Sequence, residues 1–153
     1  MGENYTGDKR KNGVPYHKNF SKLELSLEIR KSLCFLELLN RPTIGRTGKN
    51  YTLILGDDNL NHLKRINNIL HTQSNKIIFI PKGMIRLFSI IGKNKNLECF
   101  NDLNRILSFN NKTEYNGNYF MTHTHFSGSR NKNARIELDI PIIKENILKH
   151  IGK

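Results

Sequence analysis

An α+β fold is predicted for this chain of 153 residues by three observations. Apolar residues recur at helical spacing in the stretches beginning near Asp57, Asn94 and Pro141. Short apolar runs bounded by Gly, Pro and Asn lie between them and read as strands. No apolar run approaches the ~20 residues of a membrane span, and Cys34 and Cys99 are too few for a disulfide scaffold. The length suits one domain with a real core.

Residues 1–20 read as a basic flexible arm, with Gly2, Gly7, Gly13 and Pro15 and no apolar period. Residues 21–153 read as a single α+β domain. Ser21 with Glu24 has the spacing of a capping box, and Leu25, Ile29, Leu33 and Leu36 follow at helical spacing. Pro42 ends that helix. Tyr51–Leu55 reads as a strand, and Asp57 or Asp58 caps a helix carrying Leu60, Leu63, Ile66, Ile69 and Leu70. Lys76–Ile80 and Met84–Ile91 read as two strands across the turn Pro81-Lys82-Gly83. Asn94 or Asn96 opens a helix with Leu97, Phe100, Leu103, Ile106 and Leu107 inward. After a polar linker, 109–117, Asn118–Phe126 pairs with Ala134–Ile140 as a hairpin, and Pro141 starts a last helix with Ile143, Ile147 and Ile151. From residue 51 the order is β-α-β-β-α-β, that of a ferredoxin-like core with an N-terminal helix and a C-terminal hairpin-helix extension.

The chain holds 25 Lys+Arg against 13 Asp+Glu, a formal net charge of +12. With 21 Asn, 18 Ile and only one Ala (Ala134) and one Val (Val14), part of that lysine content reflects AT-rich codon usage. The distribution says more than the sum. Residues 59–97 contain seven basic residues and no acid, and 115–136 is a second acid-free stretch. Such clustering is the electrostatic footprint expected of a polyanion partner. Lys76, Lys82, Arg86, Lys93, Lys95, Arg130, Lys132 and Arg135 are the candidate phosphate contacts, with Lys9, Arg10 and Lys11 threading between nucleic-acid helices.

His123-Thr124-His125 is the sharpest local motif. On a strand both imidazoles would point to one side, where they could share a metal ion if a third ligand arrived. The triplet resembles the His-hydrophobic-His motif of HUH nucleases, although Thr124 stands in the hydrophobic position and the last helix has no tyrosine nucleophile. The element order over 51–107 resembles half of a LAGLIDADG homing endonuclease, without its Asp-Gly step after the first helix, which ends Leu38-Leu39-Asn40. An RRM would need stacking aromatics where Met84 and Arg86 stand, and a KH loop would need glycine where Lys95 stands. Gly56-Asp57-Asp58 reads as a helix cap, and Gly45-Arg46-Thr47-Gly48-Lys49 lacks the Walker spacing. Met1-Gly2-Glu3-Asn4-Tyr5-Thr6 fits the short N-myristoylation pattern, but membrane attachment is disfavoured.

The expectation is a basic nucleic-acid-binding protein, a structural RNA-binding component of a ribonucleoprotein such as the ribosome. RNA is favoured over DNA, and other ribonucleoprotein subunits are candidate partners. The alternative is a metal-dependent nuclease or DNA-binding protein using His123 and His125. A non-enzyme is favoured, no cofactor is expected, and the expected location is the cytoplasm or an organelle such as the mitochondrial matrix, without secretion.

Overall fold

Hydrophobic period decides most of the secondary structure, and it decides for helix more often than the run lengths suggest. A computed structural model describes residues 15–40, 51–72, 74–126 and 133–151. In chain order the elements are α1 (Pro15–Ser21), α2 (Leu27–Lys31), α3 (Tyr51–Ile54), α4 (Asp57–His71), β1 (Ile77–Pro81), α5 (Lys82–Lys95), α6 (Glu98–Leu107), β2 (Lys112–Tyr115), β3 (Asn118–His123) and α7 (Asn133–Ile151). The class is mixed α+β, but the described residues hold one three-stranded sheet in the order β1-β3-β2 and do not form the expected ferredoxin-like core. β1 runs parallel to β3, with Ile77 opposite Tyr119 and Pro81 opposite His123, while β2 runs antiparallel to β3.

Three corrections account for the difference. Met84–Ile91, read as a strand, lies inside α5, because Ile85, Phe88, Ile91 and Gly92 fall on one helical face and are all buried. Residues 134–140 are helical rather than extended and run through Pro141 as part of α7. The hairpin partner of β3 is instead β2, from the segment read as a linker. Asn116 and Gly117 join the two strands with φ of 49° and 66°, the pair of positive angles that a type I′ hairpin turn requires.

Two smaller corrections concern the first half. The long helix expected after Ser21 shrinks to the five-residue α2, and α1 ends at Ser21, where that helix was to start. Glu24 takes φ of 48°, so no capping box forms there; Ser26 caps α2 instead, its hydroxyl accepting from the Ile29 N–H. Tyr51–Ile54, read as a strand, is one turn of helix. Residues 1–14 of the basic arm lie outside the described residues, and Pro15–Ser21 of the same stretch is helical.

The chain divides into two compact units, one drawn from Met1–Ser32 with Thr124–Lys153 and the other Leu33–His123. The second has a continuous core in which Leu63, Ile91, Phe100, Leu103 and Phe120 are essentially inaccessible. Phe88 and Phe100 meet edge to face with ring centroids 4.9 Å apart. Gly92 lets α5 approach α6: a Cβ there would lie 2.9 Å from the Asn101 backbone nitrogen, a distance that real side chains do not show.

Asparagines brace the irregular segments of this unit. Buried Asn59 donates from Nδ2 to the Leu38 and Ile54 carbonyls, and its Oδ1 accepts from the Asn40 N–H. Buried Asn118 accepts from the Ser74 and Lys76 N–H groups and donates to the Thr72 carbonyl. These bonds supply partners to loop backbone that has no ladder of its own. In the first unit, Asn19 donates to the Phe126 carbonyl at 2.7 Å, and Phe20 packs edge to face on Phe126. Ile136, Ile140, Ile143 and Ile147 form the buried stripe of α7. Lys22 with Glu137 and Lys144 with Glu24 make ion pairs that flank it.

Candidate nucleic-acid interface

α5 starts without a break from β1, with Pro81 as its N-cap and no side chain capping it. The first N–H groups of a helix lack partners within it, and their positive end coincides with Lys82 and with Gly83, which has open space around its Cα. Along the helix, Lys82, Arg86, Ser89 and Lys93 recur at steps of four, three and four residues, which places them on one face opposite the buried Ile85, Phe88 and Ile91. Lys82, Arg86 and Lys93 are exposed and, among the described residues, make no ion pair. They span about 16 Å of helix axis at 1.5 Å per residue. Three unneutralised cations in a row are a ladder for successive anionic groups, not a pocket for one.

Other parts of the same unit add to this. Lys64 and Arg65 are exposed on α4, and Lys112 is exposed on β2; none of the three has a carboxylate partner among the described residues. These three were not singled out from sequence as contacts. Nor was Phe109, which is 88% exposed in the α6–β2 connection between the exposed Arg105 and Lys112. An aromatic left in a polar linker is the signal that would have found it.

The remaining sequence candidates are placed differently. Lys76 is half-buried and donates from Nζ to the Ile69 and Thr72 carbonyls, capping the C-terminal end of α4. The Lys95 side chain is only 16% exposed and is bonded to Asp57 Oδ1 at 3.0 Å. Arg135 stands on α7, in the other unit. Lys9, Arg10, Lys11, Arg130 and Lys132 lie outside the described residues.

The histidine pair does not share a strand. β3 ends at His123, which is buried, while His125 lies two residues beyond it, exposed and in the other unit. Thr124 leaves the strand with its N–H donating to Asp139 Oδ2 at 2.6 Å. The i, i+2 geometry that would aim both imidazoles at one ion is therefore lost, because the strand stops two residues short of His125. Among the described residues no three His, Cys, Asp or Glu side chains stand together as a metal set.

One titratable cluster lies under the sheet. Tyr115 donates its hydroxyl to Asp102 Oδ2 at 2.8 Å, and Cys99 is fully buried nearby. Burial, reinforced by the Asp102 charge, pushes the Cys99 thiol up to about 12, and burial followed by the bond to Asp102 raises Tyr115 as well. A thiol held neutral in this way is core, not a nucleophile. Comparison of the chain with protein-family models, with curated proteins and with solved structures found no match.

Proposed function

We propose that this chain is a nucleic-acid-binding protein that grips a phosphate backbone along the outer face of α5, and that it serves as a structural RNA-binding component of a ribonucleoprotein. The observation that carries the reading is the row Lys82, Arg86 and Lys93, exposed and without carboxylate partners among the described residues. Cations already bonded to carboxylates add little to the field outside the protein, whereas an unpaired row releases counterions from each phosphate it neutralises. Lys64, Arg65 and Lys112 extend the contact surface of the unit. RNA is preferred because exposed Phe109, three residues before exposed Lys112, suits an unstacked base of a single strand or loop. The spread of cations over several elements fits shape and charge recognition of a folded RNA rather than the reading of a base sequence.

Binding to single-stranded RNA, duplex RNA and duplex DNA, titrated over salt concentration, tests this. With Lys82, Arg86 and Lys93 all changed to Gln, the slope of log K against log salt is expected to lose about 2–3. Replacing Lys22, Lys144 and Lys149, each of which is bonded to a glutamate, is expected to leave the slope nearly unchanged. Affinity that ignores salt, or a slope indifferent to the α5 triple substitution, would overturn the reading.

A further inference from the structure

We infer that α7 pairs with α7 of a second copy of this chain, antiparallel, through Leu138 and Ile142. The inner stripe of the helix, Ile136, Ile140, Ile143 and Ile147, is buried, so its first apolar face is already used. On the opposite side Leu138 is 71% and Ile142 48% exposed. A helix that is apolar on two sides has a second surface to cover.

The occupant follows from the residues that continue this outer face. Arg135, Leu138, Ile142, Glu145 and Lys149 recur at steps of three, four, three and four, the seam of a two-helix contact. In an antiparallel pair with Leu138 over Ile142 of the second copy, Arg135 falls opposite Glu145 of the second copy, and two-fold symmetry repeats the match at the other end. A parallel pair would set Arg135 against Arg135 and Glu145 against Glu145, like charge on like. Arg135 has no ion-pair partner among the described residues, and Glu145 accepts from Lys149 at 2.6 Å, so a carboxylate already ordered on this face meets an unneutralised guanidinium. The seam is self-complementary in one orientation only. Two apolar layers cover far less than the roughly 1,000 Å² of a lasting interface, so the dimer is a reversible one set by concentration. Pro141, exposed beside the seam, offers no N–H to the helix ladder and helps confine contact to these central layers.

Sedimentation equilibrium of the full chain without nucleic acid provides the test. The average mass is expected to rise from the 17.8 kDa monomer toward twice that value with concentration. The double substitution Leu138→Lys with Ile142→Lys is expected to hold it at the monomer, with an unchanged circular dichroism spectrum because both side chains are exposed. R135E or E145R alone places like charges at both symmetric contacts and is expected to weaken the dimer about tenfold. Combined in one chain, the two reversals restore the match and the affinity. A chain that stays monomeric at every concentration overturns the inference. So does a dimer that survives the double lysine substitution, or one in which the combined reversal is no better than either single one.

Discussion

Helices α5 and α7 turn the same kind of inner face toward a core and opposite kinds of outer face away from it. On α5, Ile85, Phe88 and Ile91 are buried while Lys82, Arg86 and Lys93 stand exposed and unmatched by carboxylates among the described residues. On α7, four isoleucines are buried, and the outer face centres on Leu138 and Ile142. Among the described residues of the α7 unit, four of five lysines are matched: Lys22 with Glu137, Lys31 with Glu28, Lys144 with Glu24 and Lys149 with Glu145. The formal +12 is therefore not one property of the molecule. Pairing decides which cations a polyanion can feel, and a count of residues cannot show pairing.

The largest expected effects test whether the inner faces really are equivalent. Ile91 is fully buried on α5, and Ile143 is nearly so on α7. Truncating either to Ala removes three carbons from a packed site and is expected to cost about 2–5 kcal/mol. Urea unfolding of each variant, followed by far-ultraviolet circular dichroism, measures it. A loss for Ile143→Ala well below that for Ile91→Ala would break the equivalence and mark α7 as loosely held on both sides.

The sequence foretold the inner faces better than the chain's path between them. α4 and α6 are legible from the 3.6-residue period alone, as in Leu63, Ile66 and Leu70 or Phe100, Leu103 and Leu107; the expected caps do not form, since Gly56 and Leu97 are the N-caps without a side-chain bond and Asn96 instead ends α5. α5 departs from the expected strand because Met84–Ile91 is apolar at six of eight positions, so a buried strand and a helix face fit the same run. The missing period is carried by the cations at 82, 86 and 93, which the sequence alone shows as a charge cluster. The β2–β3 hairpin carries its signal in Asn116-Gly117, which the polar composition of 109–117 masks. No spacing in the sequence marks Asn59 and Asn118, yet they bridge backbone groups far apart in the chain. Periodicity records which face is buried, but long-range bonds of this kind leave no local pattern. Of the candidate site, Lys82, Arg86 and Lys93 are legible as basic residues of an acid-free stretch, but their exposure on one helix face and the capping role of Lys76 at the end of α4 need the fold.

A middle-sized effect separates the two units by pH. Cys99 and Tyr115 belong to the unit of α5, and both are held neutral to higher pH in the folded chain than in the unfolded one. Raised values of this sign leave their contribution complete below the unfolded pKa and remove it as pH rises through the folded one. For the thiol that window runs from its ordinary 9.0 to about 12. Denaturant stability measured across it is expected to fall steadily, and Cys99→Ala, judged by slope rather than by absolute stability, is expected to flatten the fall. Tyr115 keeps part of the slope in that variant. A wild-type profile that stays level through the window would show that the cluster is open to water.

The smallest effects are the most pointed, because they differ in sign. Glu137→Gln takes the partner from Lys22 across a pair exposed enough to be screened, so the loss is expected to stay below about 1 kcal/mol and to shrink in high salt. Arg86 has no carboxylate to lose among the described residues and sits one helical turn from Lys82. Like charges at that spacing repel by about 0.2–0.5 kcal/mol, so Arg86→Gln is expected to leave stability level or raise it slightly at low salt. Guanidinium would screen both effects, so urea at two ionic strengths is the measurement of choice. If Arg86→Gln lowered stability as Glu137→Gln does, Arg86 would be structural. The row on α5 would then shrink to Lys82 and Lys93, too far apart to follow neighbouring phosphates.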